Sequence, residues 1–217
     1  MKLQPVRAQI LATRIIANVN DDLKLRFELK PSHKSIGIIT ISIDDVGYTA
    51  LDEATKKADV EVVYAKSFYA GAAHSSGPLS GEFIGILAGA NPSEVRSGIQ
   101  AVRYEVESGA CFYALDDLAE HCVFPHVISR SGAYLSQIAG ISEGEPIGYF
   151  IAPPLEAMYG LDAALKAADV RLKMFYGPPT ETNFGGGLVT GSQSACQAAA
   201  DAFLGACMQV ASKPIDV

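Results

Sequence analysis

Ten residues that occur twice constrain this chain more than any other feature. Leu51–Val60 reads LDEATKKADV and Leu161–Val170 reads LDAALKAADV, identical at seven of ten positions and 110 residues apart. A repeat at that spacing means one folding unit copied in tandem, and it governs how every other segment is read. The match continues on both sides. Ser35–Thr40 (SIGIIT) parallels Pro146–Ile151 (PIGYFI), Ile15-Ile16 parallels Val127-Ile128, and Leu23 parallels Leu135. Downstream, Phe83–Gly89 (FIGILAG) parallels Gly185–Gly191 (GGGLVTG), and each copy runs on into an Ala-rich helical pattern. Two domains of ordinary size follow, 1–109 and 110–217.

Composition removes several function classes. The 217 residues are 49% hydrophobic and 19% charged, enough apolar material for a core in each copy. The net charge is −7 and Lys/Arg do not cluster, which leaves no electrostatic case for nucleic-acid binding. No apolar run approaches the ~18–20 residues of a membrane-spanning helix. The opening MKLQPVRAQILATR lacks the continuous apolar stretch and small-residue cleavage site of a signal peptide, so a cytosolic protein with reduced cysteines is expected. Cys196 and Cys207, 11 residues apart, share one helix face and read as small core residues. The Cys-x-x-Cys spacing of redox and zinc motifs is missing.

Strand and helix signals alternate along both copies. In the first, strands are expected at Arg7–Val19, Ser35–Ile43, Val60–Tyr64 and Phe83–Ala88. Asn20 caps a short helix ended by Pro31. Asp44-Asp45 is read as breaking a strand, with Thr49 capping the next helix through Ala58. Asn91-Pro92 opens a helix to about Glu107. The second copy repeats the series: strands Ala110–Ala114, Val123–Ser129, Ile147–Ile151, Val170–Tyr176 and Leu188–Thr190. Helices are expected at Ser131–Ala139, Leu161–Ala168 and, capped by Ser192, on to Ser212. This is an α/β chain with helices layered on sheets. Two long loops, Ser67–Gly81 and Gly177–Gly187, hold the same place in both copies; loops of that length are usually functional or mobile, and read without further information they are passive surface loops.

The Lys-x-Ala-Asp-Val ending of each repeated helix, followed by a strand and a glycine-rich segment, resembles the shell-protein domain of bacterial microcompartments. Further stretches are similar to the tandem-domain, trimer-forming shell proteins of ethanolamine utilisation: Val62–Ala65, Tyr69–Ala72, Ser129–Gly132, Ala152–Ala157, Pro178-Pro179, Glu181–Asn183 and Thr190–Ala195. Together they span nearly the whole chain. Ile43, Gly47 and the Gly185–Gly187 run depart from the expected pattern. The resemblance implies an α+β, ferredoxin-like sandwich in two circularly permuted copies, each with its usual last strand placed first. It implies a homotrimer forming a pseudo-hexagonal tile in a microcompartment shell within the cytoplasm, packed edge to edge with other shell proteins. It implies no enzymatic activity, membrane or nucleic acid.

The resemblance also implies roles for residues. By trimer symmetry, Ser67, Phe68, Tyr69, Gly71, His74 and Gly77 of one loop, with Pro178, Glu181, Gly185 and Gly186 of the other, would line a central pore. Lys56 and Lys166 would lie at the tile rim, donating to backbone carbonyls of a neighbour. Asp44, Asp45, Glu82 and Phe112, completed by Thr182, Asn183 and Phe184, would line a small pore that binds ethanolamine. Carboxylates suit its ammonium and an aromatic face adds cation–π attraction. Read without the resemblance, Asp44-Asp45 is a turn pair and Phe112 a core aromatic. No cofactor is required, and passage or binding of cobalamin at the axis is left open. His33 and His74 read as loop residues at the surface, although three His74 side chains could meet around a metal at the axis. His121 and His126 would point to opposite faces of a strand. Two other readings stand beside the tile: a soluble tandem ferredoxin-like regulatory protein that binds a small molecule, and a small-amine enzyme.

Overall fold

The structure is a computed structural model that describes residues 3–69 and 77–216. In chain order the elements are β1 (Gln4–Val6), β2 (Ile10–Ile16), α1 (Asp21–Arg26), β3 (Ser35–Ile41), α2 (Asp44–Lys57), β4 (Val60–Ser67), β5 (Phe83–Gly89) and α3 (Pro92–Ser108). The second half continues with β6 (Phe112–Ala114), β7 (Cys122–Ile128), α4 (Ala133–Ala139), β8 (Ile147–Ala152), α5 (Pro154–Ala167), β9 (Val170–Tyr176), β10 (Gly185–Gly191) and α6 (Gln193–Ser212). Two compact units emerge. The amino-terminal unit is Ala8–Ala110 with Gly132–Leu135; the carboxy-terminal unit is Cys111–Ser131 and Ser136–Val217 with Met1–Arg7. The first seven residues join the later unit because β1 pairs with β6, Pro5 opposite Tyr113.

Each unit is an antiparallel sheet with two long helices packed on it. The amino-terminal sheet runs β2-β3-β5-β4, and the other carries the same order, β7-β8-β10-β9, extended by β6 and β1. Relative to a βαββαβ unit, the last strand comes first, which is the permuted ferredoxin-like order. The copies agree in register as well as order. Ile15 faces Gly37 in one and Val127 faces Gly148 in the other. A bulge recurs too. Val62 and Tyr64 pair with consecutive residues of β5, and Met174 and Leu172 with consecutive residues of β10. The skipped residues, Val63 and Lys173, are again 110 apart.

Side-chain alternation divides the amino-terminal core between two faces of β3. Ile39 and Ile41 are fully buried, while Ile36, on the opposite face from Gly37, packs with Val19, Ile86 and Ala88. A strand covered on both sides is apolar over most of its length, as SIGIITI is, with the Ser35 and Thr40 hydroxyls donating to the Ala17 and Leu79 carbonyls. In the carboxy-terminal unit Phe150 stacks on Phe203 with ring centroids 5.2 Å apart, amid Leu161, Ala164, Val189, Cys196 and Cys207. Both cysteines are core residues, and burial pushes the Cys207 thiol up to about 12.

Several caps lie where the sequence puts them. Asn20 accepts from the Asp22 amide, Asn91 from those of Ser93 and Glu94, and Ser192 from that of Ala195. Two helix starts differ. α2 begins at Asp44, so Asp44-Asp45 forms its acidic first turn rather than a strand break, and the helix dipole favours carboxylates there. Thr49 lies inside the helix and donates its hydroxyl to the Asp45 carbonyl, 3.0 Å away. Likewise α5 begins at Pro154, a favoured first helical residue, seven positions before Leu161. Strand β10 begins at Gly185, so the second loop is shorter than expected and the glycine run is sheet. A Cβ on Gly186, at φ +155°, would lie 1.9 Å from the Phe150 carbonyl oxygen. These glycines permit close strand approach, not loop motion.

A Cβ on Gly37 would lie 2.6 Å from Val95 Cγ1 and 2.9 Å from Ile99 Cδ1, both on α3. Gly37→Ala is therefore expected to cost about 1–3 kcal/mol by overpacking. Chemical denaturation checks this, and an unchanged midpoint would contradict the packing described.

Candidate functional site

Three carboxylates gather in the amino-terminal unit. Asp44 and Asp45 open α2 and are buried. Glu82 sits just before β5, where the Glu82 amide donates to the Ile41 carbonyl (3.1 Å) and its carbonyl accepts from Phe68 (3.0 Å). Those two bonds tie together the end of β3, the end of β4 and the start of β5. Gly81 makes the turn possible. Its φ is +64°, and a Cβ there would be 2.1 Å from the Ile41 carbonyl oxygen. Burial, then the nearby Asp44 charge, pushes the Glu82 carboxyl up to about 7.

Tyr48 completes this cluster and was not legible as a site residue. It lies one helical turn beyond Asp44, and its hydroxyl is 2.9 Å from Ser67 Oγ. Its ring stands edge-on to Phe83 at 4.7 Å and stacks on Tyr134 at 6.4 Å. Burial raises its pKa, Asp44 and Asp45 raise it further, and the Ser67 hydroxyl opposes them. The spacing Asp44-x3-Tyr48 carries the signal once the helix is known to start at Asp44.

The other expected ligand residues lie in the carboxy-terminal unit. Phe112 is buried on β6, stacked on Phe124 (4.9 Å) and edge-on to Phe184 (5.7 Å). Thr182, Asn183 and Phe184 belong to the turn before β10. There the Thr180 amide donates to the Phe184 carbonyl (2.8 Å) and the Phe184 amide to Thr180 Oγ1 (3.2 Å). Asn183 adopts φ +67°, which Asn tolerates better than most residues, and Thr182 is buried. Pro178 and the exposed Glu181 share this loop.

Among the first loop's residues, Ser67 ends β4, Phe68 is tied to Glu82, Tyr69 is exposed and Gly77 starts a turn closed by Ser80. Gly71 and His74 lie outside the described residues. Lys56 reaches Glu53 and lies 3.8 Å from Asp52 Oδ2, while Lys166 lies 2.6 Å from Asp162. His33 is buried rather than at the surface, because its loop folds back against the sheet and its amide donates to Lys30. His121 precedes β7 and places Nε2 2.9 Å from Glu156 Oε1, close enough for an ion pair but off the line a hydrogen bond needs. Among the described residues no group of three His, Cys, Asp or Glu side chains could hold a metal, and no helix is long and apolar enough to cross a membrane.

Residues 35–119 match the BMC domain family. Over 99% of both chains the protein is 55% identical to the bacterial microcompartment shell protein EutL of Clostridium perfringens. The chain belongs to the EutL family of bacterial microcompartment shell proteins. EutL of Escherichia coli is 49% identical over 98% of this chain and 97% of its own. Ethanolamine utilization protein EutL from Leptotrichia buccalis, at 57% identity, superposes over the full length of both chains with a TM-score of 0.97. A trimeric shell protein, PduB, shares the fold at a TM-score of 0.76 and 19% identity, over 94% of this chain and 89% of its own. Members of the EutL family are structural shell proteins rather than enzymes. The place of this chain is the shell of a microcompartment in the cytoplasm, and neither the regulatory-protein nor the amine-enzyme reading survives.

The Glu82 carboxyl generates a pH dependence. Its folded-state pKa of about 7 exceeds the ordinary 4.5, so the folded chain holds the extra proton between those values. Stability therefore falls as pH rises through that window. Glu82→Gln removes this loss, and its gain in melting temperature over wild type should be larger at about pH 8 than at about pH 5. An equal difference at both values would contradict the assignment.

Proposed function

We propose that the chain is one third of a trimeric shell tile of an ethanolamine-utilisation microcompartment, and that its buried acidic cluster recognises ethanolamine. One observation carries the reading. Asp44, Asp45 and Glu82 are held together with Tyr48 in a chain that matches EutL proteins from end to end. A shell needs no turnover, so buried carboxylates next to one another require another reason to persist. Adjacent carboxylates repel one another and resist desolvation, and burial with the nearby Asp44 charge raises the Glu82 pKa. A small ammonium relieves both costs through charge-assisted hydrogen bonds. Phe112, Thr182, Asn183 and Phe184 lie in the carboxy-terminal unit, and the proposal rests on the acidic cluster alone.

The two loops supply the pore of the same proposal. Ser67, Phe68, Tyr69 and Gly77, with Pro178 and Glu181, would line the threefold axis of the trimer, and Gly185 and Gly186 would anchor the second loop to the sheet. The Glu82 carbonyl holds the Phe68 amide, so the acidic cluster adjoins the root of the first loop. Lys56 and Lys166 would meet other shell proteins edge to edge.

Calorimetric titration with ethanolamine tests the ligand. Heat of binding is expected above about pH 7, weakening at lower pH as Glu82 takes up its proton. Glu82→Ala should weaken binding at least tenfold. Absence of heat, or equal affinity in the variant, would remove the amine from the account.

A further inference from the structure

We propose that a groove on the amino-terminal unit, lined by Arg14, Arg96 and Arg103, binds a small soluble anion carrying two linked phosphate groups. The groove shares no residue with the acidic cluster and does not depend on it. Basic residues form no run in the sequence, and folding gathers these three from β2 and α3.

Helix α3 packs beside β2, the outer strand of its sheet. A cavity of about 320 Å³ lies where they meet. Arg96, Gln100 and Arg103 line it from α3, and their spacing of four and then three residues sets them on one stripe of the helix. Arg14 lines it from β2, and its Nη1 donates to the Thr13 carbonyl at 2.7 Å. That bond uses one of the five N–H donors of the guanidinium. Ile15 and the buried Ile99 add an apolar lining, and a less polar wall strengthens any hydrogen bond made against it.

The three charges have no partner of opposite sign. Lys24, Lys30, Lys56 and Lys166 each pair with a carboxylate. Among the described residues, no carboxylate pairs with Arg14, Arg96 or Arg103. Like charges around one cavity repel, and a bound anion removes that cost. Nor does the fold require them. The buried residues Val95, Gly98, Ile99, Val102 and Val106 of α3 correspond to Cys196, Ala199, Ala200, Phe203 and Cys207 of α6, each 101 positions later. In that register Arg96, Gln100 and Arg103 correspond to Gln197, Asp201 and Leu204, and Arg14 to His126. The second copy builds the same helix on the same strand without a single arginine at these positions.

Charge and shape select the ligand class. All three cations are arginines, whose planar forks grip phosphate oxygens two at a time. One phosphate carries about 1.5–2 negative charges at neutral pH, fewer than three guanidiniums supply, so two linked phosphates balance the groove better. Arg96 and Arg103 are two helical turns apart, roughly 10 Å along the axis, which suits an elongated anion over a single round one. Three positive charges on a chain of net charge −7 are too few to hold a nucleic acid.

Calorimetric titration of the full-length protein with sodium pyrophosphate, at neutral pH and fixed ionic strength, tests the groove. One site per chain is expected. Arg96→Gln and Arg103→Gln should each weaken binding by about tenfold or more. Both change exposed helix positions to a good helix former, so the unit core is untouched. Arg171→Gln, which removes an exposed arginine of the other unit, should leave affinity unchanged. Orthophosphate and citrate at the same ionic strength should bind about tenfold more weakly than pyrophosphate. Absence of heat, equal affinity in the two groove variants, or an equal loss in Arg171→Gln would overturn the site. Orthophosphate or citrate binding as tightly as pyrophosphate would overturn the assignment of two linked phosphates.

Discussion

Asp52 ties distant parts of this chain together, accepting the backbone amides of Gly132 and Leu135. Its carboxylate is buried, which alone raises its pKa, and the two backbone amides it accepts oppose that shift. A buried acceptor is stable only when its lone pairs are filled, and here they are filled from residues 80 and 83 positions away. That bond draws Gly132–Leu135 into a unit otherwise made of residues 8–110. Gly132 is required for it, since a Cβ there would sit 2.5 Å from the Asp52 carbonyl oxygen.

Duplication then explains why identity persists at some positions and not others. The seven matched residues of the repeat include Leu51 and Leu161, Ala54 and Ala164, and Val60 and Val170, all of them core. Aspartate is also kept at 52 and 162, although one is buried and the other open. Conserved burial accounts for the first set. The second set differs in use: Asp52 accepts the Gly132 and Leu135 amides, while Asp162 pairs with Lys166. Divergence falls on the first turn of the same helix, where the acidic Asp44-Asp45 of one copy is Pro154-Leu155 in the other. Tandem fusion frees the copies to differ there, and the acidic cluster occurs in only one of them.

Much of this was legible in the residues. The repeat gave the two-unit fold, and period, caps and turn residues located α1, α3, β9 and α6 closely. What escaped was helix starts. Asp44-Asp45 looks like a strand terminator, because short-range rules score acidic pairs as turns while the helix dipole welcomes them. With the N-cap six residues earlier, at Ile43 instead of Thr49, Thr49 is no cap and Tyr48 enters the site. The Gly185–Gly187 run misled in a similar way. Glycine marks both flexible loops and close strand approach, and the pairing decides between them: a Cβ on Gly186 would lie 1.9 Å from the Phe150 carbonyl oxygen. Asp52 was invisible as a cap because its partners are distant in sequence, and no local pattern records such a bond.

Electron cryomicroscopy of the assembled protein tests the central claim most directly. The account predicts three chains about a threefold axis, with residues 177–184 of each chain turned toward it. An assembly without a threefold axis, or with those residues far from it, would contradict the account.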